Sequence, residues 1–252
     1  MFNRQAIVRH GGPSGSGVRV GRTVQLALKG EHLPARALGH LGEGLSAGGL
    51  ALLPTDTGYC YVGDPNVPST HRAFLRLRAA HPRNKPFSLI VPGMAVLSDI
   101  ATMTTPQYRV VKKLLPGPFT VILAKNKRTP VSATGQRGDT VGVRLPDVPW
   151  IAELMAQYGK PLLVTSVTDA EELVMGDYYD SEASSPDAWW AYGEEILRLH
   201  GHELSFFVDP HGPQPMRVST IFDLTEDPPV MIRDGGWDVE GLTFDYVRKS
   251  KG

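Results

Sequence analysis

The 252-residue sequence has little that would tie it to a membrane, an oxidising compartment or a polyanion. Its single cysteine, Cys60, rules out an intrachain disulfide and suits a reducing compartment. No apolar run approaches the ~18–20 residues that span a bilayer. The first 17 residues carry charge but no continuous apolar stretch. They predict a leader strand or flexible arm, not a signal peptide, and a cytoplasmic location. Neither sign of charge is in excess, with 26 basic and 26 acidic residues, so no overall field recruits nucleic acid or membrane. Any anion site must be a local cluster. Several chemical signatures are also missing: a GxxxxGKS/T loop, a GxGxxG turn after a strand, HExxH and a Cys/His metal cluster. Gly11–Gly17 is glycine-rich but lacks the lysine and a preceding strand. A nucleotide, if one binds, must be held by arginine, lysine and hydroxyl groups.

What is present is the composition of a globular protein, 41% hydrophobic and 21% charged. Pro34 opens a helical pattern in which Leu38, Leu41 and Leu45 recur on one face, ended by Gly48-Gly49. Further helices are predicted with Ser69 or Thr70 as cap and Ala73, Phe74 and Leu77 on one face, at Met94–Ile100, from Thr105-Pro106 to Leu115, and at Pro149–Tyr158. Ser185-Pro186-Asp187 predicts a cap for a helix through His200 that carries Trp189 and Trp190. Strands are predicted within Val18–Leu28 and at Leu50–Leu53, Phe87–Val91, Phe119–Ala124, Thr140–Leu145, Leu162–Val167, Leu204–Val208, Ser219–Leu224 and Pro229–Arg233. This alternation argues an α/β class: one domain, an open twisted mixed sheet with flanking helices. The expected organisation is an N-terminal arm or strand over 1–34, the domain over 35–236, and a polar tail over 237–252.

Polar groups cluster just beyond element ends. Leu50–Leu53 runs into Pro54 and then Thr55, Asp56, Thr57, Gly58 and Tyr59, which predicts a buried strand stopped at its carboxyl end. Open α/β sheets bind ligands at such ends, although the same residues also make ordinary turns. A basic stretch, Arg76, Arg78, His81, Arg83 and Lys85, follows the second predicted helix, where cations also suit a solvated helix end. Arg144 alternates with Val143 and Leu145 and so points away from both, into a polar cleft or to solvent. Thr165–Thr168, Ser219 beside Arg217, and Arg233 complete the set. Cys60 lies in an apolar run and reads as a small buried hydrophobe. The acidic, aromatic stretch Asp169–Ser185 reads as a surface loop.

Seven collinear segments resemble the YrdC/YciO family of threonylcarbamoyl-AMP synthase-like proteins. They are PTDTGY at Pro54–Tyr59, KPFSLIV at Lys85–Val91, LPGPFTVIL at Leu115–Leu123, VGVRLP at Val141–Pro146, LLVTS at Leu162–Ser166, STIFDL at Ser219–Leu224, and the close Arg233-Asp234-Gly235. The YciO branch is the most similar. The resemblance implies a concave, positively lined site that joins L-threonine, bicarbonate and ATP, with Mg2+ carried on the ATP, into threonylcarbamoyl-AMP for tRNA adenosine modification. By motif it implies Thr57, Tyr59 and Thr165 on threonine or carbamate. Arg78, Lys85 and Arg144 fall on phosphates and carboxylate, and Arg76, Ser166, Thr168 and Ser219 on the nucleotide. Two departures from the synthase pattern fall at the ATP end. Lys-x-Arg is replaced by Arg78-Ala79-Ala80, and Ser-x-Asn by Ser166-Val167-Thr168. Arginine for lysine keeps charge but changes geometry. A non-catalytic module binding double-stranded RNA or a nucleotide through the same cleft is the alternative expectation. A carbamoyl-transfer role like that of hydrogenase-maturation proteins ranks below both.

Overall fold

The computed structural model describes residues 17–20, 22–77, 87–133, 138–167, 189–239 and 241–249. The acidic stretch 169–185, and with it Arg78, Arg83, Lys85 and Thr168, lies outside the described residues. Strands β1 (Gly17–Val20) and β2 (Thr23–Ala27) open the chain, followed by α1 (Ala35–Ser46). Helix α1 buries Ala37, Leu38, Leu41 and Leu45, the face that the leucine spacing predicts. Next come β3 (Ala51–Thr55), β4 (Gly58–Gly63), α2 (Pro68–Leu77), β5 (Ser88–Ile90), α3 (Met94–Ile100), β6 (Ala101–Thr102) and α4 (Thr105–Leu114). Then β7 (Phe119–Lys125), β8 (Thr140–Arg144), α5 (Pro149–Tyr158), β9 (Leu162–Ser166) and β10 (Trp189–Ala191) lead to α6 (Gly193–His200). The chain closes with β11 (Phe206–Asp209), β12 (Gln214–Met216), β13 (Thr220–Asp223), β14 (Val230–Arg233) and β15 (Val247–Arg248).

Among the described residues a 13-stranded sheet runs in the order β1-β2-β11-β3-β4-β9-β5-β8-β7-β13-β14-β15, with β6 beside β7. It is mixed: β11 lies parallel to β2 and β3, β5 to β8, and β13 to β7, while β3–β4, β4–β9 and β7–β8 are antiparallel. Alternate residues of one strand enter different cores. Leu52, Tyr59 and Tyr61 join a cluster with α2, α3, α4 and α6, whereas Leu53, Cys60 and Val62 join one with α1 and α5. A strand buried on both faces has no polar alternation, which is why β3 and β4 read as continuous apolar runs. No described helix is long and apolar enough to cross a membrane.

Four expectations are corrected. Pro54 does not end β3: it pairs with Tyr59 within the β3–β4 hairpin. The ladder to β11 stops at Leu52, so the missing proline N–H falls beyond it. Trp189 and Trp190 are in β10, not a helix, because Gln214–Met216 supplies an antiparallel partner. The cap of α4 is Thr104, whose side chain accepts from the Gln107 N–H while the Gln107 side chain accepts from the Thr104 N–H. Past residue 236 the chain is not merely polar: Phe244 and Tyr246 pack edge-on against Phe222, and β15 extends the sheet beside β14.

Candidate active site

The hairpin between β3 and β4 turns through Asp56 and Thr57 alone. The Thr55 hydroxyl accepts from the Thr57 N–H at 3.2 Å and donates to the Gly58 carbonyl at 2.7 Å, so the turn is fastened by one buried side chain. Gly58 takes the left-handed conformation, φ 91°, and a Cβ there would collide with the Met216 sulfur. The turn therefore depends on glycine both for its backbone and for the close seat of β12.

Arg144, at the end of β8, reaches this turn from across the sheet. Its Nη2 donates to Asp56 Oδ1 and to Thr57 Oγ1, both at 2.8 Å, and its Nη1 faces the Cys60 sulfur at 3.8 Å. Asp56 Oδ2 accepts in turn from the Asp147 N–H at 3.2 Å, tying the hairpin to the entrance of α5. Arg144 is 3% exposed, and its buried Nε has no acceptor among the described residues. A buried guanidinium N–H without an acceptor marks a place where a ligand oxygen can sit.

A second guanidinium approaches from β14. Arg233 donates from Nε to the Ser219 carbonyl and from Nη2 to the Ser219 hydroxyl, both at 2.9 Å, and that hydroxyl lies 2.7 Å from Thr120 Oγ1. Burial first, and the nearby positive charge of Arg144 second, push the Arg233 guanidinium down to about 10. Two cations thus share one region in which Asp56 pairs with Arg144, while the described contacts of Arg233 are to hydroxyl and carbonyl oxygens. Ser88 pairs with Gly142, whose Cβ would fall 2.9 Å from Ser88 Oγ and 3.5 Å from Thr120 Cγ2. The floor between the arginines is therefore small and hydroxyl-bearing, a surface suited to anionic oxygens.

The sequence-predicted residues divide. Thr57 and Arg144 touch each other, and Ser219 holds Arg233. Ser166 sits opposite Cys60 on the neighbouring strand, on the same face as the Arg144 contact to that cysteine. Thr165, one residue earlier, points to the opposite face. Tyr59 also lies there, fully buried against Phe207, with burial first and the charges of Glu194 and Asp209 next pushing its phenol far above the usual range. Arg76 is bound through Nε and Nη2 to Glu203, at 2.6 and 2.7 Å. Glu203 precedes Ser205, which donates to Leu50 at the far end of β3, so Arg76 stands roughly 16 Å of strand away from the Thr57 turn.

With this geometry in view, comparison with known proteins is decisive at the level of family. The Sua5/YciO/YrdC family model, described as telomere recombination, matches residues 43–235. The chain belongs to the Sua5/YciO/YrdC family. An uncharacterised protein of Haemophilus influenzae is 29% identical over 209 residues, 81% of this chain and 92% of its own length. The threonylcarbamoyl-AMP synthase of Yersinia enterocolitica is 32% identical over 116 residues, 45% of this chain and 60% of its own. Among solved structures, Escherichia coli YciO superposes with a TM-score of 0.72 at 24% identity, covering 86% of this chain and 98% of that one. Sua5 of P. abyssi complexed with L-threonine gives 0.68 at 20% identity, covering 88% and 61%. The family is therefore related to threonylcarbamoyl-AMP synthases, and the likeness to YciO extends over most of both chains.

Asp56 and Arg233 stand among the polar groups at element ends, but neither is given a ligand-binding role from the sequence. Asp56 reads as a turn residue until Arg144, 88 positions later, is seen to need a carboxylate. Arg233 was visible in the Arg-Asp-Gly close, but its contact with Ser219 depends on the β13–β14 pairing.

Proposed function

We propose that the protein uses ATP, L-threonine and bicarbonate to make threonylcarbamoyl-AMP, releasing pyrophosphate, in support of tRNA adenosine modification. The observation that carries this reading is the pair of partly or fully buried guanidiniums, Arg144 and Arg233, converging with hydroxyls and a single ion-pairing carboxylate, Asp56. Such a region has surplus positive charge and spare donors, which favours a ligand carrying several anionic oxygens.

In this reading the threonine amine forms its new N–C bond to bicarbonate-derived carbon dioxide, losing a proton and giving a carbamate. A carbamate oxygen then attacks the α-phosphorus of ATP, the α–β bridging P–O bond breaks, and pyrophosphate leaves with the electron pair. Neither step calls for a protein nucleophile. The protein's work is to align the reactants and offset phosphate charge. Thr57 and Arg144 would receive the amino acid or its carbamate, and Ser219 and Arg233 the phosphates. Ser166 lies within the same face. Arg78, Lys85 and Thr168 are proposed to contribute from segments outside the described residues, and Mg2+ to enter on the ATP phosphates. Names of relatives support the reading without deciding it: one is a threonylcarbamoyl-AMP synthase and one was solved with L-threonine.

The test is pyrophosphate release from ATP with bicarbonate, with and without L-threonine. Release that requires threonine is expected; release that ignores threonine, or none, overturns the proposal.

A further inference from the structure

Between the two halves of the site runs a short segment, Met216–Ser219, that touches both. On one side the Met216 sulfur accepts from the Tyr59 N–H at 3.0 Å, and the Arg217 N–H donates to the Thr57 carbonyl at 3.3 Å. Gly58 leaves room for Met216 in that seat. On the other side the Trp237 indole N–H donates to the Val218 carbonyl at 2.9 Å. The Arg217 guanidinium lies over the Trp237 ring, 4.7 Å from its centroid, and Nη2 donates to the Gly236 carbonyl at 3.1 Å. Gly235 allows the same close approach, since a Cβ there would run into the Val218 carbonyl, and its N–H donates to Thr220 Oγ1 at 2.9 Å.

The two attachment points are functional neighbours. Thr57 is the residue that accepts from Arg144, and Ser219 is the residue that accepts from Arg233. Arg217 and Ser219 are two positions apart, so a shift of the segment moves both hydroxyl partners together. Trp237 fastens it twice: an indole N–H bonds Val218 and a ring face holds Arg217, a contact whose cation–π attraction does not need full burial.

From this we infer that Trp237 and Arg217 are positioning residues: they clamp Met216–Ser219 so that the Thr57–Arg144 half and the Ser219–Arg233 half act as one body, coupling the binding of amino acid and nucleotide. The inference rests on the reading given under Proposed function. It assigns neither residue to contact with a ligand. Coupling between two sites requires an element that both ligands bias, and it is reciprocal for binding free energies.

The experiment is calorimetric titration with a non-hydrolysable ATP analogue, alone and at saturating L-threonine, and the converse titration with threonine. The native chain is expected to bind the analogue about fivefold or more tighter when threonine is present, with the same factor in the converse experiment. In Trp237→Leu the factor should fall towards one while each ligand alone binds as before; Trp237→Phe, which keeps the ring under Arg217 but lacks the N–H, should retain part of it. A merely structural role would lower the melting temperature or weaken both ligands without touching the factor. Should Trp237→Leu fail to fold, Arg217→Met serves in its place, since the backbone N–H to Thr57 survives. An unchanged factor in the folded variant overturns the inference, as does a native chain that binds both ligands without coupling. A native chain that binds neither removes the underlying reading, and the native titration alone reveals that case.

Discussion

Arg233 carries a positive charge into a half-buried setting in which its described partners are neutral oxygens of Ser219. Removing such a cation in favour of a similar apolar volume is often neutral or stabilising for a fold. Arg233→Met should therefore change stability by no more than about 1 kcal/mol in either direction, while ATP binding weakens roughly tenfold or more; thermal unfolding and calorimetry on the same sample separate the two. The direction of the shift says that burial, and then the charge of Arg144, make the Arg233 cation costly in the folded chain. An anion bound beside it offsets part of that cost, so inorganic triphosphate should raise the melting temperature of the native chain more than that of Arg233→Met. The pair Arg144–Asp56 behaves oppositely, because each charge relies on the other. Asp56→Asn leaves the 3% exposed Arg144 without its carboxylate, for an expected loss of about 3–5 kcal/mol in urea unfolding. The double change Asp56→Asn with Arg144→Met should recover part of that loss.

At the scale of elements, the hairpin β3–β4 is the one most dependent on its neighbours. Gly58→Ala forces a side chain into the left-handed region, about 1–2 kcal/mol of strain, and against Met216 as well. The cost should shrink in a Met216→Ala background, because shared neighbours are not additive. Equal costs in the two backgrounds would mean that β12 is not seated on the turn. Thr104→Ala, which removes the α4 cap, should cost about 1 kcal/mol and leave ligand binding alone. The same elements explain what was legible beforehand. Helices α1, α4 and α5 announce themselves because one leucine-rich stripe, or a proline at the first turn, is a local signal. Trp189-Trp190 was misread because two aromatics suit either state, and only the distant Gln214–Met216 decides for a strand. Pro54 was misread for a similar reason: its tolerance depends on where the β11 ladder ends.

For the whole molecule, the sheet order is what assembles the site. Thr57, Arg144, Ser219 and Arg233 come from β3–β4, β8, β13 and β14 regions far apart in the chain; in the pairing order β9 and β5 lie between the hairpin and β8, and β7 lies between β8 and β13. Motif likeness picks out Thr57, Arg144 and Ser219 for ligand contact, and the fold brings Thr57 to Arg144 and Ser219 to Arg233. The likeness could not foretell that Tyr59 would turn into the core, or that Arg76 would be held by Glu203 at the other end of β3. Those outcomes belong to alternation and to long-range pairing, neither of which has a local signature. The central claim is that Arg144, with Thr57, receives the amino acid or its carbamate while Arg233 receives the phosphates beside it. A crystal grown with a non-hydrolysable ATP analogue and L-threonine tests it directly. The account predicts phosphate or carboxylate oxygens at about 3 Å from both guanidiniums, with the amino acid against Thr57. Ligand density elsewhere, with Arg144 still bound only to Asp56 and Thr57 and Arg233 only to Ser219, would contradict it.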